Sequence, residues 1–407
     1  MPFELNSNNS KQIKDLKLNT LLQITKAINN NTSTDKLLEI FREILETHLK
    51  IRKLLLFSES QSGWKCILKF GFNDEFNTIN VERDLFPVKE MCTINLSEQT
   101  QIKSFEIIIP VFHKSKPLAY LLIGDLEDKV EVSPAIKHLN FVQTITNIIV
   151  VAIENKKLAK KSILQAALKK EMEFASQMQS MLFPSILPND AQLNAAAFYL
   201  PQQEVGGDYY DFIWLNANEF AFCVADVSGK GVPAALLMSN FQANLRVLLF
   251  YIPSLTELVK ELNSKVMASA KGEKFITFFI AKYNLKTQTL TYVNAAHNPP
   301  LLASGNTISE LKIGCTGLGM FDEIGLIEEG ILSISPDSTI LCYTDGLVEL
   351  ENEKSQNFGL DALKDIIKLN SKLDMNSLNN LIIETISNYK QSRPYFDDIA
   401  LFSLKIH

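Results

Sequence analysis

VGGDYYDFIWLNANEFAFCVADVSGKGVPAALLMS, residues 205–239, decides how the C-terminal half of this chain is read. EFAFCVAD (219–226) is a continuous apolar run ending in a carboxylate, the pattern of a buried strand. VSGKGVP follows it, and Pro233 near the first position of the next apolar segment is a favourable helix start. Asp208 stands beside two glycines ahead of the strand, and Asp226 ends it. Gly229 and Gly231 suggest a phosphate-binding loop, but GxxxxGK[ST] is absent. Val224 stands where its first Gly belongs, and Gly231 follows Lys230.

The pattern repeats further along. FITFFIAKYN and LTYVNAAH, joined by LKTQT, form a hairpin over 275–297, while TILCYT (339–344) and IALFSLKI (399–406) are further buried strands. A helix is expected over 255–270, with Ser254 and Glu257 as a capping box and Leu255, Leu258, Leu262 and Val266 as its apolar face. Two strand ends again carry acids. Asp345 closes TILCYT and precedes Gly346; Asp397 and Asp398 open IALFSLKI. A carboxylate at a strand end is fixed by a rigid element yet points into a cleft that solvent reaches. Several converging there, with few bases in the same motifs, repel one another unless a cation is bound. Oxygen donors without His or Cys suit Mg²⁺ or Mn²⁺ and disfavour zinc. Taken singly, a strand-terminal Asp–Gly is also an ordinary turn.

Five segments in order, VGGDYYDF, VADVSGKGVPAALLMS, NAAHNPPLL, YTDGLVE and DDIALF, resemble the SpoIIE-like branch of the metal-dependent protein phosphatases (PPM, the protein phosphatase 2C superfamily). The preceding MEFASQMQSMLFPSILP (172–188) is similar to the lead-in helix of those bacterial regulators, so the resemblance runs from about Ala175 to the C-terminus. It implies an α-β-β-α sandwich with two Mn²⁺ or Mg²⁺ ions in the cleft between the sheets. Carried over by motif, Asp226 matches the acid that bridges both ions, and Val227 offers its backbone carbonyl. Asp345 and Asp397 match the other direct ligands, and these three acids are the catalytic set. Asp208 matches a position that reaches the ions through water. Asp211 and Asp398 are expected to orient ligands or waters around them. Gly229, in the loop 228–232, lets the backbone approach closely.

The activity so implied is metal-dependent hydrolysis of phosphoserine or phosphothreonine on a regulatory protein, typically a STAS-type anti-sigma-factor antagonist. The sequence departs from the pattern twice. NAGHNPP appears as NAAHNPP, and if position 296 takes positive φ, Ala there costs about 1 kcal/mol. His297 is read as structural. The second departure is from eukaryotic relatives and is shared with the branch: their phosphate-gripping Arg is absent from the GGD motif, which implies that phosphate is held mainly by the ions and that specificity comes from protein–protein docking. Two alternatives stand beside this reading. GGDYYDF is near the GGDEF signature of diguanylate cyclases, but Tyr209 and Tyr210 replace the acids that signature needs. A degenerate phosphatase domain acting as a partner-binding switch is the other, and retention of Asp226, Asp345 and Asp397 argues against it.

The N-terminal half has a different rhythm. Leu37, Leu38, Phe41, Ile44, Leu45 and Leu49 recur at helical spacing, with a start at Thr34 or Asp35. LLLF (54–57), WKCILKF (64–70) and the pair FEIIIPVF and PLAYLLIGDL (105–126), joined by HKSKP, read as strands. Helical period returns after Pro134 and runs to about Leu182. Helix, antiparallel sheet and helix make an α+β domain that resembles a GAF domain, a sensor of small molecules. No ligand signature is present; Cys66, Cys92, His113 and His138 are isolated candidates.

A chain of 407 residues is too long for one core. The expected organisation is a GAF-like sensory domain over 1–155, a linker helix over 156–188 and the phosphatase domain over 189–407. Leu164, Leu168, Ala175, Met178 and Leu182 lie near a heptad seam that Glu171 interrupts. A homodimeric stalk and a helix packed on its own domain are both open on that pattern. Net charge of -6 argues against a nucleic-acid partner, and Lys156, Lys157, Lys160 and Lys161 read as a solvated helix face. Five scattered cysteines, a polar N-terminus and no long apolar span point to a cytoplasmic protein without a membrane partner.

Overall fold

The computed structural model describes residues 3–60, 63–71, 79–93, 105–124 and 138–407. Its contacts divide the chain into two compact units, Met1–Ala166 and Ala167–His407. The division falls inside the segment read as the linker, within the helix Leu139–Ser180.

In the first unit an antiparallel sheet joins β1 (Lys53–Ser60), β2 (Gly63–Phe70), β3 (Cys92–Thr93), β4 (Ile107–His113) and β5 (Lys116–Gly124) in the order β2-β1-β5-β4-β3. Side chains alternate between its faces. Leu54, Leu56, Ile107, Ile109, Leu121 and Ile123 pack against the helices Phe3–Asn29, Thr34–Glu43 and Leu139–Ser180. Leu55, Phe57, Ile108, Tyr120 and Leu122 face the other way, towards Val81, Leu85 and Phe105. The helical stripe Leu37, Leu38, Phe41, Ile44, Leu45 and Leu49 is buried throughout, and Ser33 caps Thr34–Glu43 by accepting from the Lys36 N–H. A separate helix, Phe3–Asn29, precedes the one that carries this stripe. The GDL end of the 105–126 stretch and the helix start expected after Pro134 lie partly outside the described residues.

The second unit has two sheets. One contains β7 (Tyr209–Asn216), β8 (Glu219–Val227), β9 (Ile276–Asn284), β10 (Thr289–Ala295) and β13 (Gly314–Cys315), in the order β13-β10-β9-β8-β7, with β14 (Gly330–Ser333) also paired to β10. The other orders β12-β11-β15-β16-β6, made of β6 (Leu193–Leu200), β11 (Leu301–Ser304), β12 (Thr307–Glu310), β15 (Ser338–Tyr343) and β16 (Ile399–Ile406). Phe220, Phe222, Phe279, Tyr210 and Phe212 of the first sheet form one core with Ile340, Cys342, Phe402 and Leu404 of the second. The opposite parity of β8 and β9 (Ala221, Cys223, Phe278, Ile280) packs on the helices Val232–Tyr251 and Leu255–Ala270. Leu341, Tyr343, Ile399 and Leu401 pack on Leu360–Leu369 and Met375–Lys390. The layers are therefore α-β-β-α. Leu255–Ala270 starts where the capping box placed it, with Ser254 Oγ accepting from the Glu257 N–H.

Candidate metal centre

Strand parity positions the acids. On β8 the residues facing the opposite sheet are Phe220, Phe222 and Val224, and Asp226 continues that row at the strand's end. On β7 they are Tyr210 and Phe212, and Asp208 continues the row backwards. Because Tyr209 pairs with Ala225, the register brings Asp208 opposite Asp226. Across the cleft, Thr344 follows Ile340 and Cys342 in the inward row of β15, and Asp398 precedes Phe402 and Leu404 in that of β16. Thr344 and Ala400 are joined by the Ala400 N–H donating to Thr344 Oγ1 at 2.8 Å. Asp345 opens the short helix Asp345–Val348, and Gly346 lies against the Asp398 backbone so tightly that a Cβ would stand 2.0 Å from its carbonyl oxygen.

The electrostatics are those of crowded, undercompensated carboxylates. Burial and the neighbouring Asp226 and Asp398 hold the Asp208 carboxyl well above the usual range, opposed by a hydrogen bond with Thr344. Its Oδ2 is buried without a partner. Burial and then Asp345 push Asp226 up to about 7. Asp345 is raised by burial and by Asp397. Asp397 is more exposed and forms an ion pair with Lys230, Nζ to Oδ2 3.0 Å, while Lys230 also donates to the Phe396 carbonyl. Asp398 is raised by burial, yet both its oxygens accept backbone N–H groups, from Gln202 and from Gly207, each at 2.7 Å.

An all-oxygen donor set, with a buried carboxylate oxygen lacking any partner, fits a hard divalent cation. Among the described residues no three His, Cys, Asp or Glu side chains stand close enough to form a finished ligand shell.

Of the residues singled out in the sequence, Asp208, Asp226, Asp345, Asp397 and Asp398 meet at this end of the sandwich. Val227 ends β8, and its carbonyl would lie 2.9 Å from a Cβ on Gly207, so the GGD turn passes directly over it. Gly229 takes φ +85° beside Lys274, whose Nζ donates to the Ser228 carbonyl at 2.6 Å. Asp211 is not brought to the cluster. Three residues on from Asp208, it takes the opposite parity and faces the helix layer. There Arg246 grips it with two bonds of 2.8 and 2.9 Å, and the Tyr209 hydroxyl donates to the same carboxylate. His297 is buried, its Nδ1 2.8 Å from Thr277 Oγ1, and burial pushes its pKa down to about 4. Ala296 does adopt positive φ, +55°. Sequence reasoning passed over Thr344 and Lys230, although the first shares the inward parity and the second lies inside VSGKGVP. It also passed over Gln179, for which no local signal exists.

Residues 216–407 match the family described as Stage II sporulation protein E (SpoIIE). This stretch of the C-terminal unit is similar to the SpoIIE family. Phosphoserine phosphatase RsbU of Bacillus subtilis is 29% identical over 192 residues, covering 47% of this chain and 57% of that protein. Phosphoserine phosphatase RsbP of the same organism is 26% identical, covering 48% and 49%. Protein IcfG of Synechocystis is 23% identical over 324 residues, 73% of this chain and 51% of that protein. The chain thus spans about half the length of these curated relatives. Among solved structures, the SiaA-PP2C domain of Pseudomonas aeruginosa superposes with a TM-score of 0.55 at 19% identity, covering 60% of this chain and 99% of that one. The C-terminal unit accordingly has the PP2C fold, and Asp226, Asp345, Asp397 and Asp398 fall within the matched residues while Asp208 lies ahead of them.

Proposed function

We propose that this protein is a Mn²⁺- or Mg²⁺-dependent protein serine/threonine phosphatase acting on a phosphorylated regulatory protein. The observation that carries the reading is the convergence of Asp208, Asp226, Asp345 and Asp397 at one end of the inter-sheet cleft, where Lys230 at the rim pairs with Asp397 and three further carboxylates are held above their usual range. These four, with the Val227 carbonyl, would hold the cations, two in this reading. Bound divalent ions supply acidification of water and neutralisation of phosphoryl charge. The chain's own residues do the rest. Asp398 spends both oxygens on the Gln202 and Gly207 N–H groups, so it shapes the GGD turn. Lys230 holds Asp397 in place from the cleft rim. Ser228 Oγ accepts from the Phe275 N–H, and Cys223, Cys342 and His297 are buried, so none of these side chains is the nucleophile in this reading. In this reading the phosphoryl group passes directly to water: the water oxygen bonds to phosphorus as the bond to the serine or threonine oxygen breaks, and the proton lost by water ends on the departing alkoxide.

Phosphoserine as the substrate group is supported by the names of RsbU and RsbP, and a STAS-type anti-sigma-factor antagonist is the proposed carrier. The first unit, with helices on one face of a five-stranded antiparallel sheet, supports a GAF-like domain that takes a small-molecule or protein input. Leu164, Leu168 and Met178 are 69%, 56% and 65% exposed along one helix, which supports its pairing with a second copy in a homodimer. Among the described residues no helix is long and apolar enough to cross a membrane, in keeping with the proposed cytoplasmic location.

The test is to react the protein with a phosphoserine peptide and Mn²⁺, then denature it during turnover. Phosphate should be released to solution with none retained on the chain. Covalently retained phosphate would overturn direct transfer to water, and no release at all would overturn the phosphatase.

A further inference from the structure

Gln179 lies in the last turn of the helix Leu139–Ser180, where its neighbours Gln177, Met178, Ser180 and Met181 are partly or largely exposed. It is itself only 7% exposed. Its side-chain amide makes a reciprocal pair with one backbone position: Nε2 donates to the Gly206 carbonyl at 2.7 Å, and Oε1 accepts from the Gly206 N–H at 3.1 Å. Gly206 and Gly207 are the two residues that deliver the chain to Asp208.

The segment 201–208, between β6 and β7, has no sheet ladder of its own. Two side chains hold it at three positions instead. Asp398 takes the N–H groups of Gln202 and Gly207, and Gln179 takes both polar groups of Gly206. There is no slack at this position. A Cβ on Gly206 would stand 2.2 Å from the Tyr199 hydroxyl and 2.3 Å from Asp398 Oδ2. Phe183, just beyond the helix, packs on Tyr199 and Tyr210 with ring centroids 4.8 and 4.9 Å away, fixing the helix end over the same turn.

We infer that Gln179 is a positioning residue for the metal centre: its amide clamps the Gly206 peptide groups and thereby presets the Asp208 carboxylate for the cation. The inference rests on the phosphatase reading above. A donor and an acceptor at that reach are what a glutamine amide offers. Without them, two buried backbone groups are left unpaired, or the turn opens to water. In either case Asp208 is no longer held opposite Asp226, and cation binding must first restore that order. The residue therefore acts on metal affinity and not on the chemical step.

The experiment uses the full-length chain as wild type, Gln179→Ala and Gln179→Glu. Mn²⁺ binding is followed by calorimetry, metal-free amide hydrogen exchange is read over residues 202–209, and aryl phosphate hydrolysis is measured against Mn²⁺ concentration. Both variants should bind Mn²⁺ about tenfold more weakly. They should exchange faster at residues 206–208 with β15 and β16 unchanged, and regain most of kcat at excess Mn²⁺. Gln179→Glu keeps the side chain's shape and one acceptor, so it answers the question should Gln179→Ala fail to fold. Wild-type Mn²⁺ affinity and exchange in the folded Glu variant would overturn the inference, as would a loss of kcat that no Mn²⁺ restores. A wild-type chain that binds no Mn²⁺ would overturn the phosphatase reading and the inference together.

Discussion

Asp226 reaches the cleft because it shares the parity of Phe220, Phe222 and Val224; one residue either way would turn it into the helix layer. The same rule separates Asp208 from Asp211, two acids of one motif with different surroundings. Two further residues carry predictions at this scale. His297 is buried with its pKa pushed down to about 4 from 6.5. The unfolded chain takes up a proton below about pH 6.5, the native fold only near 4. Stability from this group is thus complete above 6.5 and lost as pH falls through that window. Between pH 7.5 and pH 5 the loss is about 2 kcal/mol. Urea midpoints of wild type and His297→Gln at the two pH values should show the variant losing less. Ala296, at φ +55°, sits where the family pattern has Gly. Ala296→Gly should raise stability by about 0.5 kcal/mol, the relieved left-handed strain exceeding the entropy added to the unfolded chain; thermal melting checks it.

At the scale of elements, the Asp211–Arg246 pair ties β7 to the helix Val232–Tyr251. Arg246→Ala leaves a fully buried carboxylate without its cation and should destabilise the protein by about 3 kcal/mol. Mn²⁺ affinity, measured by calorimetry on the folded variant, should stay within twofold of wild type, since Asp211 faces away from the cleft. Elements with a strong period or a cap were legible in the sequence. These include β8, the β9–β10 hairpin, β15, β16 and the helix capped by Ser254. β6 was not. LNAAAFYL is built around helix-favouring alanines, and it is a strand because β16 offers a paired register from Leu200 to Leu193. The acids were legible because each ends or opens a buried strand. Gln179 was not, because its partner is the backbone of a turn 27 residues away, and no local pattern marks such a contact.

The whole molecule has two compact units with separate cores, so unfolding need not be one transition. Scanning calorimetry of the cation-free chain should resolve two. Added Mn²⁺ should raise only the one belonging to Ala167–His407, by about 2.7 kcal/mol at a hundred times its dissociation constant. A shift in both would place cation binding outside the carboxylate cluster. At this scale the change of rhythm, from helix and antiparallel sheet to buried strands ended by acids, predicts more than one unit, and the contacts divide the chain in two. Their division inside one continuous helix left no break in composition to read.

The most direct test of the central claim is hydrolysis of an aryl phosphate by the purified full-length chain with Mn²⁺, with chelator, and as Asp226→Asn. Turnover that requires Mn²⁺ and falls at least a hundredfold in the folded variant is the predicted result. Turnover that survives chelation, or an Asp226→Asn variant as active as wild type, would contradict it.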